Sequence, residues 1–143
     1  MRRFFNLFIL ALVVIIGFTF SVGCAPKEPL VIKESDTYIV INASNEQMTI
    51  SNDTTLLDYM KSLKNEGELV FEINNGMIVS INGIANPSDW SSCWMLYTSD
   101  DSNANTAWGT IEYNGKVYGS AILGAESLTV KDGCTYVWVF KSI

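Results

Sequence analysis

The chain has 143 residues, of which 48% are hydrophobic and 17% charged, with a formal net charge of −6 and no histidine. This acidic balance argues against nucleic acid as a partner, because binding to phosphate backbones depends on basic side chains. Without histidine the chain lacks the usual general base and the commonest metal ligand, which excludes Ser-His-Asp triads and ordinary zinc sites.

The first 23 residues have the layout of a secretory signal peptide. Arg2 and Arg3 precede a mainly apolar run over residues 4–20, which ends in the sequence Ser-Val-Gly-Cys. This ending resembles a lipobox, in which the cysteine, here Cys24, is diacylated and becomes the new N-terminus. An uncleaved anchor is the alternative, because such a run can cross a hydrocarbon core about 30 Å thick. Both interpretations place the following residues at the extracellular face of the cell membrane.

The part of the chain that begins at Cys24 is predicted to hold one domain. Loss of both arginines leaves seven basic residues against 15 acidic ones, a net charge of −8. Residues 24–36 include two prolines and five charged residues with little apolar periodicity, which is typical of a tether. We therefore predict a tether over 24–36 and a domain over 37–143.

The domain is predicted to begin with a hairpin and a helix. Two β-rich runs, 37–43 and 46–51, flank the turn residues Ser-Asn and predict a pair of strands. Thr55 and Asp58 then form a capping-box pattern ahead of apolar residues at helical spacing. The Asn-Glu-Gly sequence at 65–67 predicts where this helix ends.

Short strands are predicted for most of the remaining chain. Runs at 69–73, 77–81 and 93–98 are separated by Asn-Gly turns. Residues 113–116, Tyr-Asn-Gly-Lys, predict a hairpin with a type I′ turn, since Asn-Gly tolerates positive φ. The run over 134–141 is apolar on both faces, which predicts an internal strand.

Cys93 and Cys134 are the two cysteines that remain once Cys24 is assigned to lipid. An even number of cysteines in an exported chain favours a disulfide, so we predict a bridge between them. A catalytic thiol is not supported, because no activating partner is apparent.

Five segments together resemble the transcobalamin-like C-terminal domain, a family of bacterial surface proteins and animal cobalamin carriers. They are TTLLDYM at 54–60, GMIVSINGI at 76–84, WMLY at 94–97, VKDG at 130–133 and YVW at 136–138. The resemblance implies an α+β, β-grasp-like domain of mostly antiparallel strands around one helix, and a corrinoid as a candidate ligand. The chain departs from the family at 98–124, which is predicted as a long loop or hairpin insertion, and at Cys134, where an acidic residue is common.

Aromatic residues in or beside the long loops are the candidate ligand contacts, because flat ligands and sugars stack on such rings. The surface is predicted over loop 86–92 and insertion 98–124. The candidates are Trp90, Tyr97, Trp108, Tyr113 and Tyr118. The alternative for each ring, and above all for Trp94 and Trp138, is that it fills the core.

A weak calcium pattern lies inside the insertion. Asp101, Asn103, Asn105 and Glu112 occupy positions 1, 3, 5 and 12 of an EF-hand-like loop. Thr106 stands where that loop requires glycine, so a polar turn is the favoured interpretation and no metal or cofactor is predicted.

The sequence favours a lipid-anchored surface module that binds a small ligand, with no nucleic-acid partner. The alternative is a structural or adhesive module that contacts another surface protein or a cell-wall polymer. An enzyme is not predicted, because no base, nucleophile and orienting group can be assembled.

Overall fold

The computed structural model describes residues 27–143, so the signal sequence and Cys24 lie outside the described residues. This part of the chain forms nine strands and one helix. The strands are β1 (Val31–Ser35), β2 (Tyr38–Asn42), β3 (Phe71–Asn74), β4 (Met77–Ile81), β5 (Ile84–Ala85), β6 (Ser92–Thr98), β7 (Ala104–Tyr113), β8 (Lys116–Ala121) and β9 (Thr135–Ser142), and the helix is α1 (Leu56–Asn65). Over residues 27–143, no helix is both long and apolar enough to span a bilayer.

All the strand pairs are antiparallel, and they form two sheets. The large sheet has the order β1-β2-β9-β6-β8-β7, and the small sheet has the order β3-β4-β5. Strand β9 pairs with β2 on one side and with β6 on the other, which confirms the predicted internal strand. The hairpin between β7 and β8 is also confirmed, with φ angles of 49° at Asn114 and 71° at Gly115.

Helix α1 begins and ends where the sequence predicts. The Thr55 side chain accepts a hydrogen bond from the Asp58 N–H at 3.1 Å, and its hydroxyl donates to the Asp58 carboxylate at 2.8 Å. Gly67 follows the last turn with a φ of +79°, a conformation that favours glycine. The buried face of the helix consists of Leu56, Leu57, Tyr59, Met60 and Leu63.

The first turn of α1 holds the segment that follows β8. The Leu56 N–H donates to the Leu128 carbonyl at 2.7 Å, and the Leu57 N–H donates to the Ala125 carbonyl at 2.8 Å. The first N–H groups of a helix have no partner within the helix, so these carbonyls satisfy donors that would otherwise need water. The chain after β8 is thereby held at the start of the helix.

Two hydrophobic clusters lie on opposite faces of the large sheet. The first contains α1, the small sheet and the even-numbered side chains of β9, including Tyr136 and Trp138. The second contains Val137 and Val139 together with tyrosines from β6 and β8. Both clusters lie within residues 27–143, so we expect this segment to fold without the residues before it.

The large sheet curls around the second cluster. Strands β2 and β7 are four places apart in the sheet, yet the rings of Tyr38 and Tyr113 lie 6.2 Å apart. The Tyr38 hydroxyl also donates to the Glu112 carbonyl at 3.4 Å. This contact between distant strands closes the curl over the buried valines.

The prediction of an α+β, β-grasp-like domain is wrong. Nine strands and a single ten-residue helix make the described part of the chain β-rich. The main cause is the segment 98–124, predicted as a long loop or hairpin insertion, which supplies β7 and β8 of the large sheet.

Two local predictions near the start of the domain are also wrong. Residues 31–35, assigned to the tether, form β1 and pair with β2. Residues 46–51, assigned to a strand, form turns and irregular structure, partly because the Asn45 side chain accepts a hydrogen bond from the Ile50 N–H at 3.0 Å. The hairpin partner of β2 therefore precedes it in the chain.

The predicted disulfide is not formed, and Cys93 and Cys134 are both free thiols. Cys93 is paired with Lys141 at one end of β9, whereas Cys134 immediately precedes the other end. Seven residues of extended chain place them about 20 Å apart. A disulfide requires Cα atoms within about 7 Å, so the antiparallel arrangement of β6 and β9 rules out the bridge.

Asp100 fixes the turn between β6 and β7. Its carboxylate accepts hydrogen bonds from Lys131 at 2.7 Å, from the Asn103 amide at 2.7 Å, and from the Ser102 hydroxyl at 2.9 Å. Burial by itself raises the pKa of Asp100, but these hydrogen bonds outweigh it and lower the pKa to about 2. The ionised form is therefore stabilised by folding.

We predict that Asp100→Asn lowers the free energy of unfolding by about 1 to 2 kcal/mol at pH 7. Because folding depresses this pKa, the contribution is complete above about pH 4 and is lost as the pH falls towards 2. Urea unfolding at pH 7, 4 and 2.5 measures it, with Asp101→Asn at the exposed neighbouring residue as the control. A difference between wild type and Asp100→Asn that is the same at pH 7 and pH 2.5 would contradict the assignment.

Candidate functional site

A groove of about 490 Å³ lies between the large sheet and the small sheet. One wall is the first half of β6, and the other walls are the start of β4 and the segment 120–127. Strand β6 pairs with β9 along its whole length but with β8 only at Tyr97 and Thr98. Among the described strands, none pairs with the β8 side of β6 from Ser92 to Leu96, and the groove occupies this gap.

The gap exists because the chain after β8 turns away from β6. The Ile122 N–H donates to the Asn103 carbonyl at 2.9 Å, which keeps the end of β8 beside the start of β7. Ala125 and Leu128 are then held by the first turn of α1, as described above. The segment 120–127 thus forms a wall opposite β6 instead of extending the pairing.

Asn86 joins the two sheets beneath this groove. Its side-chain N–H₂ donates to the Ile78 carbonyl of β4 at 3.3 Å, and its side-chain oxygen accepts from the Trp94 N–H of β6 at 3.1 Å. Its own backbone N–H donates to the Val79 carbonyl at 2.7 Å. One residue thereby fixes the separation of two groove walls.

Trp90 lies at the groove in a conformation that is rare for a tryptophan. Its φ is +56°, and 47% of the residue is exposed. The backbone is held by a hydrogen bond from the Trp90 N–H to the Pro87 carbonyl at 3.0 Å and by Asp89, whose carboxylate accepts from the Ser91 N–H and hydroxyl. A positive φ at a bulky residue costs on the order of 1 kcal/mol or more and is found disproportionately at ligand sites.

Trp138 lines the same groove with an unsatisfied hydrogen-bond donor. The residue is 5% exposed, and its indole N–H has no acceptor among the described residues. The indole N–H of Trp94 differs, since it donates to the Ile84 carbonyl at 2.8 Å. A buried donor without a partner costs about 1 to 3 kcal/mol, so an acceptor at this position would stabilise the domain.

The exposed rim of the groove is largely apolar, and its charge is negative. Its most exposed apolar side chains include Met77, Trp90, Ile122 and Leu123. Glu126 is the one charged residue among the described residues that line it. The Glu126 carboxylate lies over Gly76, where any Cβ would overlap it, so the glycine permits this close approach between two walls.

The predicted aromatic set does not form one site. Trp90 lines the groove, and loop 86–92 and the end of insertion 98–124 contribute to it. Tyr97, Tyr113 and Tyr118 pack in or against the second hydrophobic cluster, with ring centroids of Tyr113 and Tyr118 6.4 Å apart. Trp108 lies on β7 with 65% of its surface exposed, outside the groove.

Trp94 and Trp138 contribute to the site although the sequence favoured a core role for them. They do belong to the first hydrophobic cluster, but they also line the groove. No local signal in the sequence distinguishes a ring that is buried entirely in the core from one that also borders a groove. These two rings border a groove because β6 and β8 pair over only two residues.

The weak calcium candidates are not brought together. Asp101 and Asn103 lie in the turn before β7, whereas Asn105 and Glu112 lie on β7 itself. Over residues 27–143, no group of three or more His, Cys, Asp or Glu side chains is placed to hold a metal ion. Asp100, the residue next to this pattern, instead uses its carboxylate to fix the turn.

Comparison of the chain with protein-family models, with curated proteins and with solved structures gave no match in any of the three.

We predict that Asn86→Ala lowers the free energy of unfolding by about 1 to 3 kcal/mol, because it leaves the Trp94 N–H and the Ile78 carbonyl without partners in a half-buried position. Chemical unfolding measures the loss. Asn52→Ala is the matched control, since Asn52 is exposed and its side chain bonds to no other described residue. Equal effects of the two substitutions would show that Asn86 does not join the sheets.

Proposed function

We propose that the protein is a surface lipoprotein, anchored through Cys24, whose domain binds a small ligand in the groove between the two sheets. The observation that carries this proposal is the indole N–H of Trp138, a buried donor that lacks an acceptor in a residue lining the groove. Groups of this kind are normally satisfied in a folded protein, so a bound molecule whose acceptor reached this donor would gain a hydrogen bond that the free domain lacks.

The shape and chemistry of the groove support the same proposal. Its volume of about 490 Å³ falls within the range of about 300 to 1,000 Å³ that is usual for small-molecule sites. Aromatic and aliphatic side chains are the larger part of its lining, and Asn75, Asn86, Ser120, Glu126 and Ser127 supply polar groups. The strained backbone of Trp90 places a large exposed ring at the rim.

A corrinoid is one candidate ligand, and it rests on the family resemblance alone. The resemblance also implied a β-grasp-like fold, which the structure contradicts. Fold analogy is a weak warrant for a ligand in any case, because unrelated functions recur on one fold. Aquacobalamin is therefore one of the compounds to test, and the proposal of a ligand site does not depend on it.

A structural or adhesive role is the second candidate, favoured by a different surface. Trp108 on β7 and Val117 on β8 are 65% and 64% exposed. Both residues belong to the hairpin of β7 and β8, and contiguous exposed apolar side chains are a feature of protein contact surfaces. Substitution at Trp108 therefore separates the two candidate functions.

We predict that the domain of residues 27–143 binds N-phenyl-1-naphthylamine, a neutral apolar dye, and that Trp90→Ala weakens this binding about fivefold or more, as expected for loss of an aromatic contact. Trp108→Ala is the matched control and leaves the affinity unchanged. Dye fluorescence measures binding, and aquacobalamin is titrated as a competitor.

Absence of saturable dye binding by the wild-type domain would overturn the groove as a ligand site. Weaker binding after Trp108→Ala, with Trp90→Ala unaffected, would move the site to the hairpin of β7 and β8.

We predict for the anchor that the native protein incorporates a lipid label and partitions into detergent, and that Cys24→Ala remains an unlabelled, unprocessed precursor. Metabolic labelling and gel mobility measure both. No label on the native protein, together with a mobility unchanged by the substitution, would show that the lipid anchor is absent.

A further inference from the structure

We propose that the groove selects a positively charged organic ligand. This ligand has an alkylated ammonium group and a neutral oxygen that can accept a hydrogen bond, as choline does. This inference rests on the proposed function and adds the chemical class of its ligand. Three features of the groove support it: its tryptophans, its charge and the unsatisfied donor of Trp138.

Three of the four tryptophans in the chain line this groove. They are Trp90, Trp94 and Trp138, from a loop, from β6 and from β9. Trp90 is 47% exposed, whereas Trp94 and Trp138 are 6% and 5% exposed, so Trp90 presents the most accessible ring. The face of an indole ring attracts cations, and tryptophan is the strongest of the aromatic residues in this respect. Recognition of quaternary ammonium groups by several aromatic rings is the best-known functional use of this attraction.

The charge of the groove favours a cation and disfavours an anion. No lysine or arginine is among the described residues that line it, and Glu126 contributes a carboxylate. Glu126 forms no salt bridge with another described residue. Its carboxylate lies over Gly76 at the turn between β3 and β4, so it faces a groove wall and not only open solvent.

The Trp138 N–H adds a requirement for an acceptor on the ligand. A hydroxyl oxygen can accept this hydrogen bond, whereas a hydrocarbon cation such as tetramethylammonium leaves the donor unsatisfied. A carboxylate would also accept it but would be repelled by Glu126. The donor is covered in this structure, so the ligand must displace neighbouring side chains to reach it.

The test compares ligands of matched shape on the domain of residues 27–143. Choline and 3,3-dimethyl-1-butanol differ in charge but hardly in shape, and tetramethylammonium retains the charge without the hydroxyl. Calorimetric titration gives the three affinities. We expect choline to bind about fivefold or more tightly than the neutral alcohol, which is the size of a cation–π contribution.

Two variants assign this preference to residues. Glu126→Gln is expected to reduce the preference for choline over the alcohol without abolishing it, because the tryptophan rings still attract the cation, while Glu112→Gln, at an exposed carboxylate on β7, leaves it unchanged. Trp138→Phe retains an aromatic ring without the N–H, so we expect this variant to bind choline and tetramethylammonium with equal affinity. Co-sedimentation with phosphatidylcholine vesicles distinguishes a lipid headgroup from a free solute as the source of the ligand.

Equal affinities for choline and the alcohol would overturn the inference, and so would dye binding without any choline binding. Both of these outcomes leave the groove intact as a ligand site, because the neutral dye tests that proposal separately. Failure of the dye and of all three compounds would overturn the inference and the proposed function together.

Discussion

The hydrogen bonds at the start of α1 determine where the groove of this domain lies. A helix begins with N–H groups that need external acceptors, and here the Ala125 and Leu128 carbonyls supply two of them. This holds the chain away from β6 after only two residues of pairing with β8. The groove is the space left between them, so a helix start on one side of the molecule produces the gap in the sheet.

The remaining contacts keep that gap open at a fixed width. Asn86 joins β4 to β6 through its side chain. Trp94 is fixed by its hydrogen bond to Ile84 and by its packing against Phe140, with ring centroids 5.4 Å apart. The positions of β4, β6 and Trp94 are thus fixed before a ligand arrives, so these parts lose less conformational entropy on binding.

The two faces of the large sheet have different roles. The second hydrophobic cluster contains most of the tyrosines that the sequence suggested as ligand contacts, and these pack against valines from β2 and β9. Lys141 donates to the Tyr97 hydroxyl at 2.9 Å, so even the polar end of that ring has a partner within the domain. The first cluster instead leaves the Trp138 N–H unsatisfied beside the groove.

Local signals in the sequence predicted local structure well. Three such signals are confirmed, and each acts on the residues next to it in the chain. They are the capping pattern at Thr55, the Asn-Gly turn at 114–115 and the run of β9 that is apolar on both faces. Strand β1 was missed because its charges and the two prolines that precede it resemble a tether. Its pairing with β2 is evident only in the three-dimensional structure. The disulfide, the fold class and the full set of groove residues depended on strand order and register, which no short pattern specifies.

The most direct test of the groove as a ligand site is a ¹⁵N–¹H spectrum of the four tryptophan indole groups in the domain of residues 27–143, recorded with increasing N-phenyl-1-naphthylamine. Single substitutions to phenylalanine assign the four signals. We expect the signals of Trp90 and Trp138 to move with one shared saturation curve and the signal of Trp108, outside the groove, to stay in place. Movement of Trp108 alone, or no movement of Trp90 and Trp138 at saturating dye, would contradict the account.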